Sequence, residues 1–188
     1  LVEFAPTQRV APAKTANLEL LERLVCGDVH GARDVLSGIA AGRLPPDRLI
    51  VDVMLPAMAE VGQRWQANEL EVYQEHLATE AIRSLLAGLA GMRPESQQRT
   101  AALGLVSCAP GDAHELIPLA LASYLTCRGW SARNLGVGLP AGQIARAVAA
   151  FHPQVLFLTF TMLSRFEDVL EVMAEVRRQP GHCPIIVG

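Results

Sequence analysis

Residues 101–115 read AALGLVSCAPGDAHE, and this stretch decides the fold. A short apolar run ends at Cys108, a loop with Pro and Gly follows, and a helical pattern begins near residue 115. Short continuous apolar runs bounded by turn residues are typical of strands that are buried on both faces, as in parallel sheets. The stretch therefore predicts the first strand of an α/β domain, over 101–108.

The same alternation of strand and helix continues to the end of the sequence. Further buried strands are predicted at 132–137, 155–161 and 184–187, and helices at 115–128, 141–151 and 166–178. Because parallel strands need crossover connections, this order predicts a doubly wound, Rossmann-like parallel sheet with helices on both faces. We assign this domain to residues 100–188 and expect it to be truncated at its C-terminal end, because such sheets usually carry a further strand and helix.

Before the sheet, apolar residues recur with the period of a helix. Asn17 is the predicted N-cap of a first helix, a second follows from residue 29, a third starts at Pro45 and is kinked at Pro56, and a fourth covers Leu70 to Leu89. The fourth helix is predicted to bury Tyr73, Leu77, Ala81, Leu85 and Leu89. Short connections predict a four-helix bundle over 17–91, preceded by a linker at 1–16 and followed by a polar linker up to residue 99.

Composition and charge exclude several classes of function. The chain of 188 residues has 16 Lys and Arg against 19 Asp and Glu, so we expect no direct binding of nucleic acid by this segment. The longest apolar run, 116–127, is shorter than the roughly 20 residues that cross a bilayer, and the first residues show no secretory signal. We therefore expect a cytoplasmic protein without membrane contact. The four cysteines lack paired spacing and are predicted to be buried thiols.

The loop after the first predicted strand contains a carboxylate and an imidazole. Asp112 and His114 are two residues apart, at the carboxyl end of the strand, where open parallel sheets bind ligands. A carboxylate so placed can bind one imidazole nitrogen and leave the other as a metal ligand or a base. The alternative is that Asp112 only caps a helix beginning at His114.

The helical half contains a second group of candidate residues. Trp65 is followed after nine residues by Glu75 and His76, and Val72 lies one helical turn earlier. Residues at i, i+3 and i+4 share one helix face, so these side chains could contact a flat apolar ligand. The alternative is core packing for Trp65 and solvated polarity for the Glu75–His76 pair.

Together the two groups resemble the cobalamin-binding, light-sensing domain of the CarH-type MerR repressors. The segments LPAMAEVGQRW at 55–65 and EHLAT at 75–79 resemble that family's helical cap, and PGDAH at 110–114 resembles the start of its Asp-x-His-x-x-Gly signature. The resemblance covers 17–188. A Trp followed by nine residues and Glu-His is similar to the photosensory branch, whereas methyl-carrying corrinoid proteins have other residues there.

For the sheet domain, the resemblance implies contacts with cobalt and with the nucleotide tail of the cofactor. His114 would be the lower axial cobalt ligand, and Asp112 its orienting partner. Thr159 stands where the family has the Ser of a Ser-x-Leu motif near the tail, and Gly188 would begin a Gly-Gly turn. The family's Leu is replaced by Thr161.

A second departure from the family pattern is Ile117, which replaces the final Gly of the signature. Its branched side chain would crowd the approach of the nucleotide tail. A third departure concerns DNA binding: only irregular residues precede the predicted bundle, so the repressors' helix-turn-helix is not carried over.

For the helical cap, the resemblance implies a pocket on the upper face of the cofactor. Trp65, Val72 and Glu75 would surround an adenosyl group that occupies the upper position in the dark. His76 would take the upper cobalt site after light breaks the cobalt–carbon bond. The cofactor implied is adenosylcobalamin.

We therefore expect a non-enzymatic photoreceptor module that regulates transcription or signalling. Light would change the ligation of cobalt, and with it the conformation, the state of a homo-oligomer, or a contact with a regulator or fused output domain. One alternative is a corrinoid protein that carries a methyl group between methyltransferases, for which a bulky Trp65 is a poor fit because partners must reach cobalt. Another is a cobalamin sensor that does not respond to light.

Overall fold

The computed structural model describes residues 14–90 and 102–188, which fall into two compact units divided between Leu85 and Leu86. The first unit is helical and the second contains a sheet. The predicted linker at 92–99 and most of the linker at 1–16 lie outside the described residues. Residues 14–16 already belong to the first helix, so the prediction of Asn17 as its N-cap is wrong.

Helices make up the described part of the first unit. Their bounds are α1 Lys14–Val25, α2 Val29–Ala41, α3 Pro46–Leu49, α4 Leu55–Gln66 and α5 Val72–Ala90. The side chains most completely buried in this region include Leu20, Leu24, Ile50, Met54, Val61 and Ile82. These apolar positions recur at helical spacing, which is why the periodicity of the sequence predicted the helices.

The third predicted helix changes its winding before Pro56. A π-helix, Ile50–Met54, joins α3 to α4, and Pro56 is the second residue of α4. Proline has no N–H to donate and its ring crowds the preceding turn, and π turns, which are rare, occur mostly as local insertions within α-helices. The predicted kink is therefore a change of helix type just before the proline.

The inner face of α5 differs from the prediction. Ala81 and Leu85 are buried as expected, but Tyr73 is 63% exposed and Leu77 39% exposed. The buried stripe is completed by Ala78, Ile82 and Leu86. The first two turns of α5 therefore leave large apolar side chains in solvent.

The second unit contains a parallel sheet of four strands in the order β2-β1-β3-β4. The strands are β1 Leu103–Cys108, β2 Ser131–Asn134, β3 Val155–Thr159 and β4 Ile185–Val187, and the helices between them are α6 Leu116–Cys127, α7 Ala141–Phe151 and α8 Phe166–Arg177. This architecture confirms the predicted fold class. Strand β2 ends earlier than predicted, because a loop with positive φ at Gly136 and Gly138 follows it.

The strand order determines where this unit can hold a ligand. Strand β1 lies between β2 and β3, so the chain leaves it in opposite directions and a crevice forms at the carboxyl ends of β1 and β3. The loops after these strands meet there. Gly188 directly follows β4 and stays hydrogen-bonded to the chain at the end of β3: its N–H donates to the Leu158 carbonyl over 3.1 Å, and its carbonyl accepts from the N–H of Phe160 over 3.0 Å.

Two further expectations concern the cysteines and the membrane. None of the four cysteines forms a disulfide, and Cys108 is buried as predicted, but Cys127 and Cys183 are only half-buried and Cys26 is exposed. Exposure of Cys26 follows from its position in the turn after α1. Across 14–90 and 102–188, no helix is both long enough and apolar enough to cross a bilayer.

Candidate functional site

Asp112 and His114 form a hydrogen-bonded pair in the loop between β1 and α6. The Asp112 side chain is completely buried, whereas that of His114 is 54% exposed. Asp112 Oδ1 accepts a hydrogen bond from the His114 backbone N–H (3.0 Å) and lies 2.5 Å from His114 Nδ1. Helix α6 begins only at Leu116 and has no side-chain N-cap, so the alternative of Asp112 as its cap is wrong.

Thr161, in the loop after β3, completes this pair. Its backbone N–H and its hydroxyl both donate to Asp112 Oδ2, at 2.7 and 2.8 Å. The Thr161 hydroxyl also lies 2.6 Å from His114 Nδ1. Both oxygens of Asp112 are therefore occupied, and the imidazole is held from two sides. The sequence carried no signal for this contact, because Asp112 and Thr161 are 49 residues apart.

These partners determine which nitrogen of His114 carries the proton. Asp112 can only accept, and the Thr161 hydroxyl already donates to Asp112, so both require Nδ1 to be the donor. In the neutral tautomer with this proton, the lone pair lies on Nε2. Burial alone would raise the pKa of Asp112, but hydrogen bonds from Thr161 and His114 outweigh burial and hold that pKa well below its ordinary value of 3.8. Asp112 is therefore an anion that orients the ring of His114.

Gly111 places Arg165 directly against this loop. Gly111 has a φ of +74°, and a Cβ built on it would lie 2.6 Å from Nη1 of Arg165. The same guanidinium lies 3.5 Å from the carboxylate of Asp168, at the start of α8. The sequence analysis did not predict this contact. It leaves no room for a side chain at position 111.

We expect Gly111→Ala to lower the free energy of unfolding by about 2 kcal/mol, because a side chain is strained at this φ and must also displace Arg165. Chemical denaturation measures the change. Gly62→Ala is a matched control in α4, where an added Cβ meets nothing within 4 Å and alanine favours the helix. Equal stability of the two variants would contradict the close contact.

The other predicted residues of the sheet unit lie at the same edge. Thr159 ends β3, is buried, and donates a hydrogen bond of 3.4 Å to the Ser107 carbonyl on β1. Ile117 is the second residue of α6 and is 40% exposed. Burial raises the pKa of the Cys108 thiol, which keeps this neighbour of Thr159 neutral.

In the helical unit, His76 is also held through Nδ1. Its Nδ1 lies 3.0 Å from the Val72 carbonyl and 2.9 Å from Glu75 Oε2. The hydrogen bond is to the Val72 carbonyl, which can only accept, so Nδ1 carries a proton, and Glu75 lies within ion-pair distance. The His76 side chain is 73% exposed. The hydroxyl of Thr79 donates to Glu75 Oε1 over 2.8 Å, a contact that helical spacing could have predicted but the sequence analysis missed.

Large apolar side chains near His76 along the chain are left in solvent. Trp65, near the end of α4, is 43% exposed, and Val72, the first residue of α5, is 57% exposed. The alternative of core packing for Trp65 is therefore wrong. Exposed aromatic and aliphatic side chains of this size are suited to covering an apolar ligand.

Comparison with known protein families identifies the family to which the chain belongs. Two family models, each described as a B12 binding domain, match residues 18–89 and 102–188, and together they span most of the chain. The chain belongs to the B12-binding family. Its site residues fit the cofactor, because His114 is a half-exposed imidazole oriented by a buried carboxylate, and an imidazole nitrogen of this kind could bind the cobalt of the cofactor.

Curated relatives of this B12-binding chain include a repressor and a corrinoid protein. The HTH-type transcriptional repressor CarH of Myxococcus xanthus is 30% identical over 177 residues, which is 94% of this chain and 58% of the relative. The trimethylamine corrinoid protein of Methanosarcina barkeri is 28% identical over 168 residues, which is 82% of this chain and 76% of the relative. The chain thus spans little more than half the length of CarH.

The B12-binding fold is also found in a solved structure. The monomethylamine corrinoid protein of Methanosarcina barkeri superposes with a TM-score of 0.68 and 18% identity, covering 93% of this chain and 84% of the other. At this identity the likeness concerns the fold alone. The helical region followed by a parallel sheet is therefore an architecture known for corrinoid proteins.

Proposed function

We propose that this B12-binding chain is a sensory module that binds adenosylcobalamin and responds to light. The observation that carries the proposal is His76, a solvent-exposed imidazole whose Nδ1 donates to the Val72 carbonyl, as the Nδ1 of His114 donates to Asp112. An exposed imidazole that is oriented through Nδ1 is suited to binding a metal through its other nitrogen. The Trp65 and Glu75–His76 pattern, similar to the light-sensing domains, supports the same proposal.

Each residue then has a chemical role. When bound, adenosylcobalamin supplies a cobalt–carbon bond that visible light can break. His114 would hold its cobalt from below, with Asp112 orienting the ring. Trp65 and Val72 would cover the apolar upper ligand in the dark, and His76 would be the residue that binds cobalt once that ligand has left.

Other proposed roles concern the nucleotide tail, the output and the location. Thr159, Ile117 and Gly188, at the carboxyl edge of the sheet, are proposed to flank the tail. The change at cobalt is proposed to alter the oligomeric state, or a contact with a regulator or fused output domain, in the cytoplasm. In this proposal the module regulates and does not catalyse.

We expect illumination to change both the spectrum and the assembly of the loaded protein. A sample loaded with adenosylcobalamin in the dark should give a stable bis-imidazole spectrum under green light and a shifted elution volume. His76→Ala should bind equally in the dark but reduce the yield of the stable photoproduct about tenfold or more, because its upper ligand is lost. Absorption spectra and size-exclusion chromatography measure both effects.

The matched control for this experiment is His30→Ala, which removes another exposed histidine of the helical unit. This variant should behave like the parent. A loaded parent protein whose spectrum and elution volume do not change under light would contradict the photoreceptor proposal.

The second candidate is a corrinoid protein that carries a methyl group between methyltransferases. The likeness to the trimethylamine corrinoid protein favours it. Transfer of the methyl group from methylcobalamin-loaded protein to a methyltransferase partner would support this candidate. An exposed Trp65 beside the upper position would obstruct such partners, which is why we place the sensory role first.

A further inference from the structure

Arg165 lies at the carboxyl edge of the sheet with hydrogen-bond donors that the protein does not use. It directly precedes α8, in the segment after β3, and its guanidinium packs against Gly111 in the loop after β1. The Nε–H of Arg165 is buried and has no hydrogen-bond acceptor. Buried donors are normally satisfied, so an unpaired one at the ligand-binding edge of a parallel sheet requires an explanation.

The ion pair that Arg165 forms with Asp168 is weak. Arg165 Nη1 lies 3.5 Å from the Asp168 carboxylate, whereas a charge-assisted hydrogen bond is about 2.8 Å long. The two side chains are 39% and 30% exposed, and ion pairs in contact with water contribute little. The guanidinium therefore retains donors for a stronger acceptor.

The stability of α8 does not explain an arginine at this position. Arg165 is the N-cap residue of the helix and makes no capping hydrogen bond with its side chain. Short side chains that accept hydrogen bonds are preferred at an N-cap, whereas a guanidinium can only donate. Its charge is also unfavourable at the positive end of the helix dipole. Arg165 is thus poorly suited to start a helix and well suited to meet an anion.

Positive charge is otherwise sparse at this edge of the sheet. The loops that follow β1, β2 and β3 cover residues 109–115, 135–140 and 160–165. Among these described residues Arg165 is the sole Lys or Arg. The Asp112 carboxylate is buried and already accepts hydrogen bonds from Thr161 and His114. An anionic group that reaches this edge therefore meets one guanidinium with unused donors.

We propose that Arg165 binds the phosphodiester of the nucleotide tail of cobalamin. The tail carries one negative charge, on that phosphodiester, and a planar guanidinium can donate to two phosphate oxygens at once. The inference rests on the part of the proposed function that places the tail at this edge of the sheet, and it is independent of any response to light. It adds a charged contact to the uncharged residues proposed to flank the tail, Thr159, Ile117 and Gly188.

Two corrinoids that differ only in the phosphate test this contact. Cobinamide lacks the nucleotide and its phosphate, whereas cobinamide phosphate retains the phosphate. The full chain should bind cobinamide phosphate about tenfold or more tightly than cobinamide, and Arg165→Gln should remove most of this preference, because a charge-assisted pair is lost. The affinity for cobinamide should change by less than about twofold. Titration followed by absorption measures all four affinities.

The matched control is Arg178→Gln. Arg178 also pairs with a carboxylate three residues away, that of Glu175, but it lies just beyond the opposite end of α8. This variant should keep the preference for the phosphate. Should Arg165→Gln not fold, Arg165→Lys keeps the charge without the paired geometry and should reduce the preference about threefold or more.

The outcomes separate this inference from the proposed function. If the parent prefers cobinamide phosphate and the Arg165 variants keep the full preference, the role of Arg165 is overturned and the placement of the tail stands. A variant that binds both corrinoids more weakly by the same factor also overturns the phosphate contact, because a merely structural role has that effect. A parent that binds both corrinoids equally, or neither, overturns the inference together with the proposed placement of the tail.

Discussion

Replacing His114 with alanine should abolish the imidazole-ligated cobalt spectrum and weaken cobalamin binding at least about a hundredfold. Loss of residues that merely orient a metal ligand typically costs ten- to a hundredfold, and His114 is proposed as the ligand itself. The side chain is 54% exposed, so the free energy of unfolding should fall by only about 1 kcal/mol, through the lost bond to Asp112. Titration with cobalamin followed by absorption measures both spectrum and affinity.

The control for this experiment is His182→Ala. His182 is exposed and precedes the amino end of β4, whereas the Asp112 loop follows the carboxyl end of β1. It should leave both the spectrum and the affinity unchanged. A His114→Ala protein with the spectrum and affinity of the parent would show that another group binds the lower face of cobalt.

Replacing Asp112 with asparagine should affect stability and binding together. The carboxylate is completely buried and accepts hydrogen bonds from Thr161 and His114, and an amide group would turn its own N–H bonds towards some of these donors. Unsatisfied buried donors of this kind should cost about 3 kcal/mol of unfolding free energy. Cobalamin affinity should fall about ten- to a hundredfold, because His114 loses its orienting partner.

The stability effect of Asp112→Asn should depend on pH. The pKa of Asp112 in the folded protein is lower than its ordinary value of 3.8, so the ionised group stabilises the fold above that value. The contribution is lost as the pH falls below it. The parent should therefore exceed the variant in stability at neutral pH, and the difference should shrink in acid.

Denaturation curves at several pH values measure this difference. Glu171→Gln, which neutralises an exposed carboxylate on α8, is the control and should change stability by less than about 0.5 kcal/mol. A parent and an Asp112→Asn variant that unfold alike at neutral pH would contradict the hydrogen-bond network.

Much of the fold could be predicted because its signals are local. The apolar runs that became β1 and β3, and the period that became α7, depend on residues a few positions apart. The ends of elements were less accurate, as the first turn of α1 shows, since helix ends depend on capping contacts and not on periodicity. The exposure of Tyr73 could not be predicted, because it depends on what packs against α5.

The pairing of Asp112 with His114 was determined by the sequence itself, since two residues in one loop cannot lie far apart. The same is true of Val72, Glu75 and His76, which share one turn of a helix. The sequence alone therefore determined the fold class and the two groups of residues that are candidates for binding the cofactor.

Only the tertiary structure decided how these groups are held. Thr161 reaches Asp112 because β3 lies directly beside β1, and strand order is a property of the whole sheet. Arg165 covers Gly111 for the same reason. A contact between residues about fifty positions apart leaves no periodic trace in the chain, because its energy is gained only after the elements have packed together.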